Sequence, residues 1–336
     1  MESDTIITIK EIAQKASVSI TTVSRVLNGQ SNVADATREK VLKIIAELDY
    51  KPNLFAQGLA GGQTKTIGVQ TQLLGSPVFD VILRGILKGL EGSGYSALFS
   101  DGGWDAAKDA AAIQMFIKRQ VDGLIILNGN SPDDFLNDIS RQVPLIVIGR
   151  KIKGIEKKCV AFDDFDAAFK ATKYLIEMGH RRIAHITGLP NHKDANERRD
   201  GYFAALREAD IIPDPNLVVE GDFTEPSGML AIEMLLMRGH MFSAIFAAND
   251  QMAYGARLAL YRRDLRVPQD VSIVGFDDQA PSAYMIPPLT SISRPPLEIG
   301  EATSVALIKM IQGQKSVALP KYESNLMIRE SVNRRM

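Results

Sequence analysis

From residue 66 the chain runs through one local pattern twice, and that repetition restricts its fold more than any other feature. The apolar runs TIGVQT, YSALFSD, GLIILN and PLIVIGR alternate with amphipathic stretches near 78–92, 105–119 and 132–141. Strands that neighbour each other in parallel need a crossover long enough to hold a helix, so this alternation predicts a parallel, doubly wound sheet. Strands buried on both faces lose the polar alternation of half-exposed ones and read as continuous apolar runs, as GLIILN and PLIVIG do. After about residue 163 the pattern restarts with RIAHITG, LVVEGD, AIFAAN and VSIVGFDD, separated by helical stretches near 165–178, 196–209, 225–238 and 251–263. Two similar α/β lobes are expected, with LTSIS and NLMIRES left over as extra strands.

The first fifty residues carry no such run. Thr8 with Glu11 makes a capping box, and Ile9, Ile12, Ala13 and Ala16 form one apolar stripe. Ser17-Val18-Ser19 supplies a turn and the next cap. A second helix, Ile20 to about Leu27, keeps Val23, Val26 and Leu27 on one side and leaves Ile20, Thr21, Thr22, Ser24 and Arg25 for the rest of its surface, with Asn28-Gly29 ending it. A third, from about Asp35 to Leu48, repeats Val41, Leu42, Ile44, Ile45 and Leu48 at helical spacing. Three short helices on one small core, with a tight turn between the first two, describe a helix-turn-helix unit. A thin, hydroxyl-rich helix fits a major groove, where Ser and Thr reach phosphates or base edges and Arg grips guanine at two acceptors. An all-α appendage with ordinary solvated side chains has the same spacing, and the basic and acidic residues before position 62 balance.

A chain of 336 residues exceeds one typical domain, and its 45% hydrophobic and 24% charged residues are those of a globular protein. The net charge of −1 gives no bulk attraction to polyanions, so any nucleic-acid site must be local. The N-terminal stretch MESDTIITIKEIAQKA has no apolar signal core and no run long enough to span a bilayer follows, which predicts a cytoplasmic protein without membrane contact. Cys159 is the only cysteine, so internal disulfides are impossible. The four histidines lack metal-site spacing, no GxSxG elbow occurs, and GGQTKT lacks phosphate-loop spacing. We therefore expect no enzyme, no cofactor and no metal.

Ligands of open parallel sheets bind beyond the carboxyl ends of the strands. Those ends lead to Arg198, Asp222-Phe223, Asn249-Asp250 and Asp277-Asp278. An aromatic face for C–H surfaces, a forked Arg, an Asn and a carboxylate for paired hydroxyls suit a sugar or similar polar ring.

The stretches TIKEIAQKASVSITTVSRVLNG, VADATREKV and LDYKPNLFAQGLAGGQTKTIGV resemble the N-terminal signature of the LacI/GalR family of bacterial transcription regulators. The resemblance continues through YLIEMGHRRIAHITG, ERRDGYFAAL, FAANDQMAYGA, VPQDVSIVGFDD and PPLTSISRP, nearly the whole chain. It implies a helix-turn-helix headpiece over 1–51, a hinge helix and linker over 52–64, and a periplasmic-binding-protein-like effector and dimerisation domain over 65–336. Within that domain it implies an N-lobe of about 65–163 and 295–322 and a C-lobe of about 164–292 and 323–336, joined by three crossings at a flexible waist.

The resemblance also implies roles for residues. Ile20 and Thr21 match operator-discriminating positions, Arg25 a base-contacting one, and Thr22, Ser24 and Asn28 backbone-binding or anchoring ones. Thr8 and Ser19 join that DNA-facing set. In the hinge, Asn53, Ala56 and Gln57 face DNA and Leu59 matches a leucine wedge that enters the minor groove. Arg198, Phe223, Asn249 and Asp277 match usual effector contacts. Phe79 and Arg150 match less regular ones, with a core role for Phe79 and a rim ion pair for Arg150 as the alternatives. Ser17 departs from the usual turn glycine, and Ala34 from the usual serine cap of the third helix.

The expected function is a homodimeric, effector-controlled repressor of a near-palindromic double-stranded operator, with a sugar or glycoside as inducer. The alternatives are a sugar-binding receptor of the periplasmic type, or the same regulator with a nucleoside or purine corepressor.

Overall fold

The computed structural model describes residues 7–27, 32–50, 63–314 and 317–335. The N-terminal unit holds three helices, α1 (Ile9–Ala16), α2 (Ile20–Leu27) and α3 (Asp35–Glu47). The capping box forms: Glu11 Oε2 accepts from the Thr8 amide at 2.8 Å, while the Thr8 hydroxyl accepts from the Glu11 amide. Ser17 ends α1 in the left-handed region at φ 55°, the conformation that favours glycine. Ser19 caps α2, its Oγ accepting from the Thr22 amide at 3.1 Å. Ile12, Ala13, Ala16, Val23, Val26, Val33 and Val41 make the core. Leu42, expected inside, is half exposed, because Val41 takes the inward position and the adjacent residue is rotated away. α3 starts at Ala34 with no side-chain cap.

The remaining chain builds two sheets. The first contains β1 (Thr66–Thr71), β2 (Ser96–Asp101), β3 (Gly123–Leu127), β4 (Leu145–Gly149) and β5 (Cys159–Ala161) in the order β2-β1-β3-β4-β5, with β1, β3, β4 and β5 parallel. Its helices are α4 (Pro77–Leu90), α5 (Ala106–Lys118) and α6 (Asp133–Gln142). The second contains β6 (Ile183–Thr187), β7 (Val218–Glu220), β8 (Ala244–Ala247), β9 (Ser272–Asp277), β10 (Thr290–Ser293) and β11 (Asn325–Met327) in the order β11-β10-β9-β8-β6-β7. All its pairings are parallel except β10 with β11. Helices α7 (Asp164–Glu177), α8 (Lys193–Glu208), α9 (Glu225–Met237) and α10 (Asp250–Tyr261) connect these strands. Both sheets thus run second, first, third, fourth, fifth, an order whose switch point lies beside the first strand.

Two elements were not expected from sequence, the short β5 and the helix α11 (Pro296–Ile311). α11 leaves the second sheet after β10, packs on α4 and β3 of the first lobe, and is followed by β11 back in the second sheet. The leftover strands LTSIS and NLMIRES therefore both belong to the second sheet, while the helix between them completes the first lobe.

Three helix pairs approach at glycines. A Cβ on Gly85 would sit 2.1 Å from the Leu297 carbonyl and one on Gly300 2.1 Å from that of Ile82, which joins α4 to α11. Gly201 joins α8 to α7 in the same way, and Gly228 with Gly255 joins α9 to α10. The cores beneath α4–α11 and α9–α10 are largely aliphatic, including Ile67, Ile86 and Ile125 in the first lobe and Ile232, Ile245 and Ile273 in the second, while that beneath α7–α8 holds the buried rings of Tyr202, Phe246 and Phe276.

Candidate functional site

On α2, Ile20, Thr21 and Arg25 are exposed, Thr22 and Ser24 are half exposed, and Val23 and Val26 are buried. Thr8 and Ser19 are exposed near its start. The outward face is thus built from one aliphatic residue, three hydroxyls and one guanidinium. Asn28, Asn53, Ala56, Gln57 and Leu59 lie outside the described residues.

Between the lobes lies a cavity of about 270 Å³. Each of β1 to β10 contributes a residue from its carboxyl end or the segment just beyond: Leu73, Trp104, Asn128, Gly149, Phe162, Leu189, Phe223, Asn249, Asp277 and Arg294. Convergence of strand ends is what doubly wound topology provides twice over when two such sheets face each other. Trp104, Asn128, Phe223 and Asp277 have φ of 60°, 53°, 70° and 96°. Non-glycine residues held in this region cost about 1–3 kcal/mol each and concentrate where a ligand is clamped.

Arg198 and Asp164 form the base. Both side chains are almost fully buried, and Asp164 Oδ1 accepts from Arg198 Nε at 2.7 Å and from Arg294 Nη2 at 2.6 Å. Arg198 also donates to the Ala248 carbonyl. The two guanidiniums lie 3.8 and 4.8 Å from the centroid of the Phe276 ring, and Arg294 lies 4.5 Å from that of Phe162. Burial pushes the Asp164 carboxyl up, but Arg294 and Arg198 more than offset it and hold it below the usual carboxylate range. Asp277 is raised by burial, which the same two cations offset only in part.

Asn249 caps α10, its Oδ1 accepting from the Met252 amide at 2.9 Å and its Nδ2 donating to the Phe223 carbonyl at 2.8 Å. It therefore fixes the backbone that carries the Phe223 ring. That ring lies over Gly188, where a Cβ would come within 2.1 Å of it. Phe79 lines the cavity and also packs on the first-lobe core. Arg150 is not among the lining residues. Gly149, at φ 101°, faces the cavity instead, and the next side chain turns to the Ser131 carbonyl, with Asp133 at 3.9 Å. This is the rim ion pair weighed as its alternative.

Sequence reasoning missed Trp104, His192, Asp164 and Arg294. Trp104 and His192 stack with centroids 3.9 Å apart, and His192 stacks on Phe223 at 5.6 Å. The available signal for Trp104 was its position just beyond YSALFSD, the end of a strand.

Beneath the cleft, Asp250 is fully buried among neutral donors: Ser282 Oγ and the Gln279 amide to Oδ2, and Ser291 Oγ to Oδ1. Burial raises it to about 7, partly opposed by those hydrogen bonds. His185, stacked between Tyr202 and Phe246, is lowered by burial to about 4. Between pH 4 and 6.5 native Asp250 keeps a proton that the unfolded chain releases, so it costs stability as pH rises. Over the same range native His185 lacks a proton that the unfolded chain takes up, so its contribution has the opposite sign. The D250N variant should therefore gain stability over the parent by about 1.4 kcal/mol per pH unit between pH 5 and 6.5. Urea melts of both proteins across that range check it, and a constant difference would refute the buried proton.

A helix-turn-helix unit followed by a two-lobed domain with a polar and aromatic interlobe cavity defines a class, the ligand-controlled DNA-binding regulators. Residues 8–53 match the model of bacterial regulatory proteins of the lacI family, and residues 172–332 match a periplasmic binding protein-like domain. The chain belongs to the lacI family. It is 34% identical to the ribose operon repressor of Haemophilus influenzae over 97% of this chain and 98% of that protein. It is 35% identical to the transcriptional repressor CytR of Escherichia coli over 93% and 92%. Among solved structures, a lac repressor dimer bound to operator and the anti-inducer ONPF superposes with a TM-score of 0.85 at 31% identity, covering 97% of this chain and 99% of that one.

Proposed function

We propose that the protein is a transcriptional repressor that binds a near-palindromic operator as a homodimer and is released from it by an uncharged sugar or glycoside held between its lobes. The observation that carries this reading is the cavity itself, where strand ends of both lobes converge on Phe223, Asn249, Asp277 and Arg198. Aromatic rings cover the C–H faces of a pyranose or furanose, while forked donors and carboxylates pair with vicinal hydroxyls. Four carboxyls, Asp164, Asp194, Asp222 and Asp277, face two guanidiniums, Arg198 and Arg294, in the lining. That balance disfavours a phosphorylated ligand. A volume of about 270 Å³ falls at the small end of ligand sites and fits one sugar ring or a nucleoside.

A ligand that binds one closure state better than another shifts the equilibrium between them, coupling cleft and operator by about 1–3 kcal/mol, or roughly 5- to 150-fold in operator affinity. Homodimerisation has support in exposed apolar side chains: Leu230 and Met237 on α9, Leu258 and Tyr261 on the neighbouring α10, and Tyr284.

The row Trp104, His192 and Phe223 also suits a planar base, which keeps nucleosides and purines as the second reading. Selection from randomised duplexes supplies an operator, and titration of D-ribose, D-glucose, cellobiose, adenosine and hypoxanthine against the complex then separates the two. Release by sugars and not by the other compounds is the expected result. Release by nucleosides or purines alone, or tighter binding with any of the five, would overturn the sugar-inducer reading.

A further inference from the structure

The lobes are joined across the cavity by a ring contact between Trp104 and His192. Trp104 follows β2 of the first lobe and His192 precedes α8 of the second, and their rings are stacked at an interplanar angle of 27°. His192 is 2% exposed and its other face lies toward Phe223, yet neither ring nitrogen has a protein partner. Two buried, unpartnered polar atoms on the wall of a cavity are costly unless something in the cavity pairs with them.

Trp104 is held in place by an uncommon amount of buried polar structure. Its backbone amide donates to Gln72 Oε1 at 3.0 Å and its carbonyl accepts from Asn130 Nδ2 at 2.7 Å. Both clamps hang on Asp109, which is completely buried. Its Oδ1 accepts from Gln70 Nε2 and from Gln72 Nε2, and its Oδ2 accepts from the Asn130 amide at 2.7 Å. The backbone is pressed onto this carboxylate at Gly102 and Gly129, where a Cβ would lie 1.8 and 2.8 Å from its oxygens. Such a network over-determines the backbone at Trp104 and so can sustain its left-handed conformation.

We propose that Trp104 and His192 are an interlobe clasp that holds the effector cleft closed, that the effector strengthens it by pairing with the His192 ring nitrogens, and that Asp109 is the clasp's positioning residue. This rests on the reading of the cavity as an effector site. Stacking sets the imidazole plane, so its nitrogens point along the cavity wall only while both lobes contribute a ring. A ligand that uses those nitrogens thereby favours the closed arrangement, which gives the differential affinity that coupling requires.

Trp104 is the only tryptophan in the chain, so its emission reads the clasp directly in the full-length protein without any ligand. H192A should shift that emission to longer wavelength and make it more sensitive to acrylamide. H192F keeps an aromatic partner and should leave the spectrum near the parent's. D109N, which touches no ring, should move the emission in the same direction as H192A, because an amide cannot accept from Gln70, Gln72 and Asn130 together; circular dichroism reports that each variant is folded. An unchanged spectrum in H192A or in folded D109N would overturn the clasp or the positioning role respectively. If D109N fails to fold, Q72A, which removes one clamp on the Trp104 amide, takes its place with the same expected shift. D-ribose, D-glucose, cellobiose, adenosine and hypoxanthine titrated calorimetrically provide the second readout. Whichever binds the parent should bind H192F about tenfold to a hundredfold more weakly. Equal binding would refute the role of the nitrogens. Binding of none of the five to the parent would overturn the effector reading above and with it that role, while the emission would still judge the clasp.

Discussion

Replacing Asp164 with alanine should lower the stability of the effector domain by about 3 kcal/mol and abolish its response to ligand. Asp164 Oδ1 is the shared acceptor of Arg198 and Arg294, and both guanidiniums lie in low-dielectric surroundings over Phe276. Removing the carboxylate leaves two buried cations without their common partner, a change that costs about 3–5 kcal/mol where nothing replaces the lost charge. Asp277 and Asp194 remain near Arg198 and restrain the loss to the lower end of that range. A drop in Tm of roughly 5 °C is expected. D164N keeps the oxygen that accepts from both guanidiniums but loses its charge, and should fall between. Thermal melts of the three proteins decide it, and a D164A protein as stable as the parent would mean that the ion triad is energetically idle. The ligand response has a separate cause. Arg294 follows β10, where the chain leaves the second sheet for α11, so its anchor on Asp164 joins two of the segments between the lobes.

The parts of this molecule legible in its sequence are those fixed by local period. Continuous apolar runs with helical stretches between them marked both sheets, and the strand-end rule led to Arg198, Phe223, Asn249 and Asp277 because topology puts carboxyl ends in one place. Residues whose meaning depends on a distant partner were not legible. Asp164 reads as an ordinary acid at a helix start; it becomes the anchor of the waist only through Arg294. His192 and Trp104 belong to different lobes and carry no spacing that relates them. Arg150, given by the resemblance with a rim ion pair as its alternative, turns toward Ser131 and Asp133 where Gly149 ends its strand with a positive φ. α11 has a start signal in Pro295-Pro296, proline being favoured at the first helical position, but the stretch between LTSIS and NLMIRES lacks a second cue and is assigned no element from sequence.

Exchanging Ile20 and Thr21 should change which operator is bound, whereas truncating Arg25 should weaken every operator that presents guanine to it. α2 has no charged residue except Arg25, and the basic and acidic residues before position 62 balance. The helix therefore has little electrostatic attraction to spend on arbitrary duplexes, and discrimination must come from contacts with base edges. A bidentate arginine–guanine pair is worth about 1–3 kcal/mol, and a two-fold symmetric complex uses it twice, so R25A should lose about 2–6 kcal/mol, roughly 30- to 10⁴-fold in operator affinity. I20A and T21A remove apolar and hydroxyl contacts from the most exposed positions of the face while Val23 and Val26 keep the helix seated on its core. The fold should survive, and duplex selection with the double variant should return a different consensus at the bases those side chains reach. The slope of log affinity against log salt should change little in I20A/T21A, because neither residue neutralises a phosphate. An unchanged consensus, or a uniform loss on random and selected duplexes alike, would mean that another surface reads the operator.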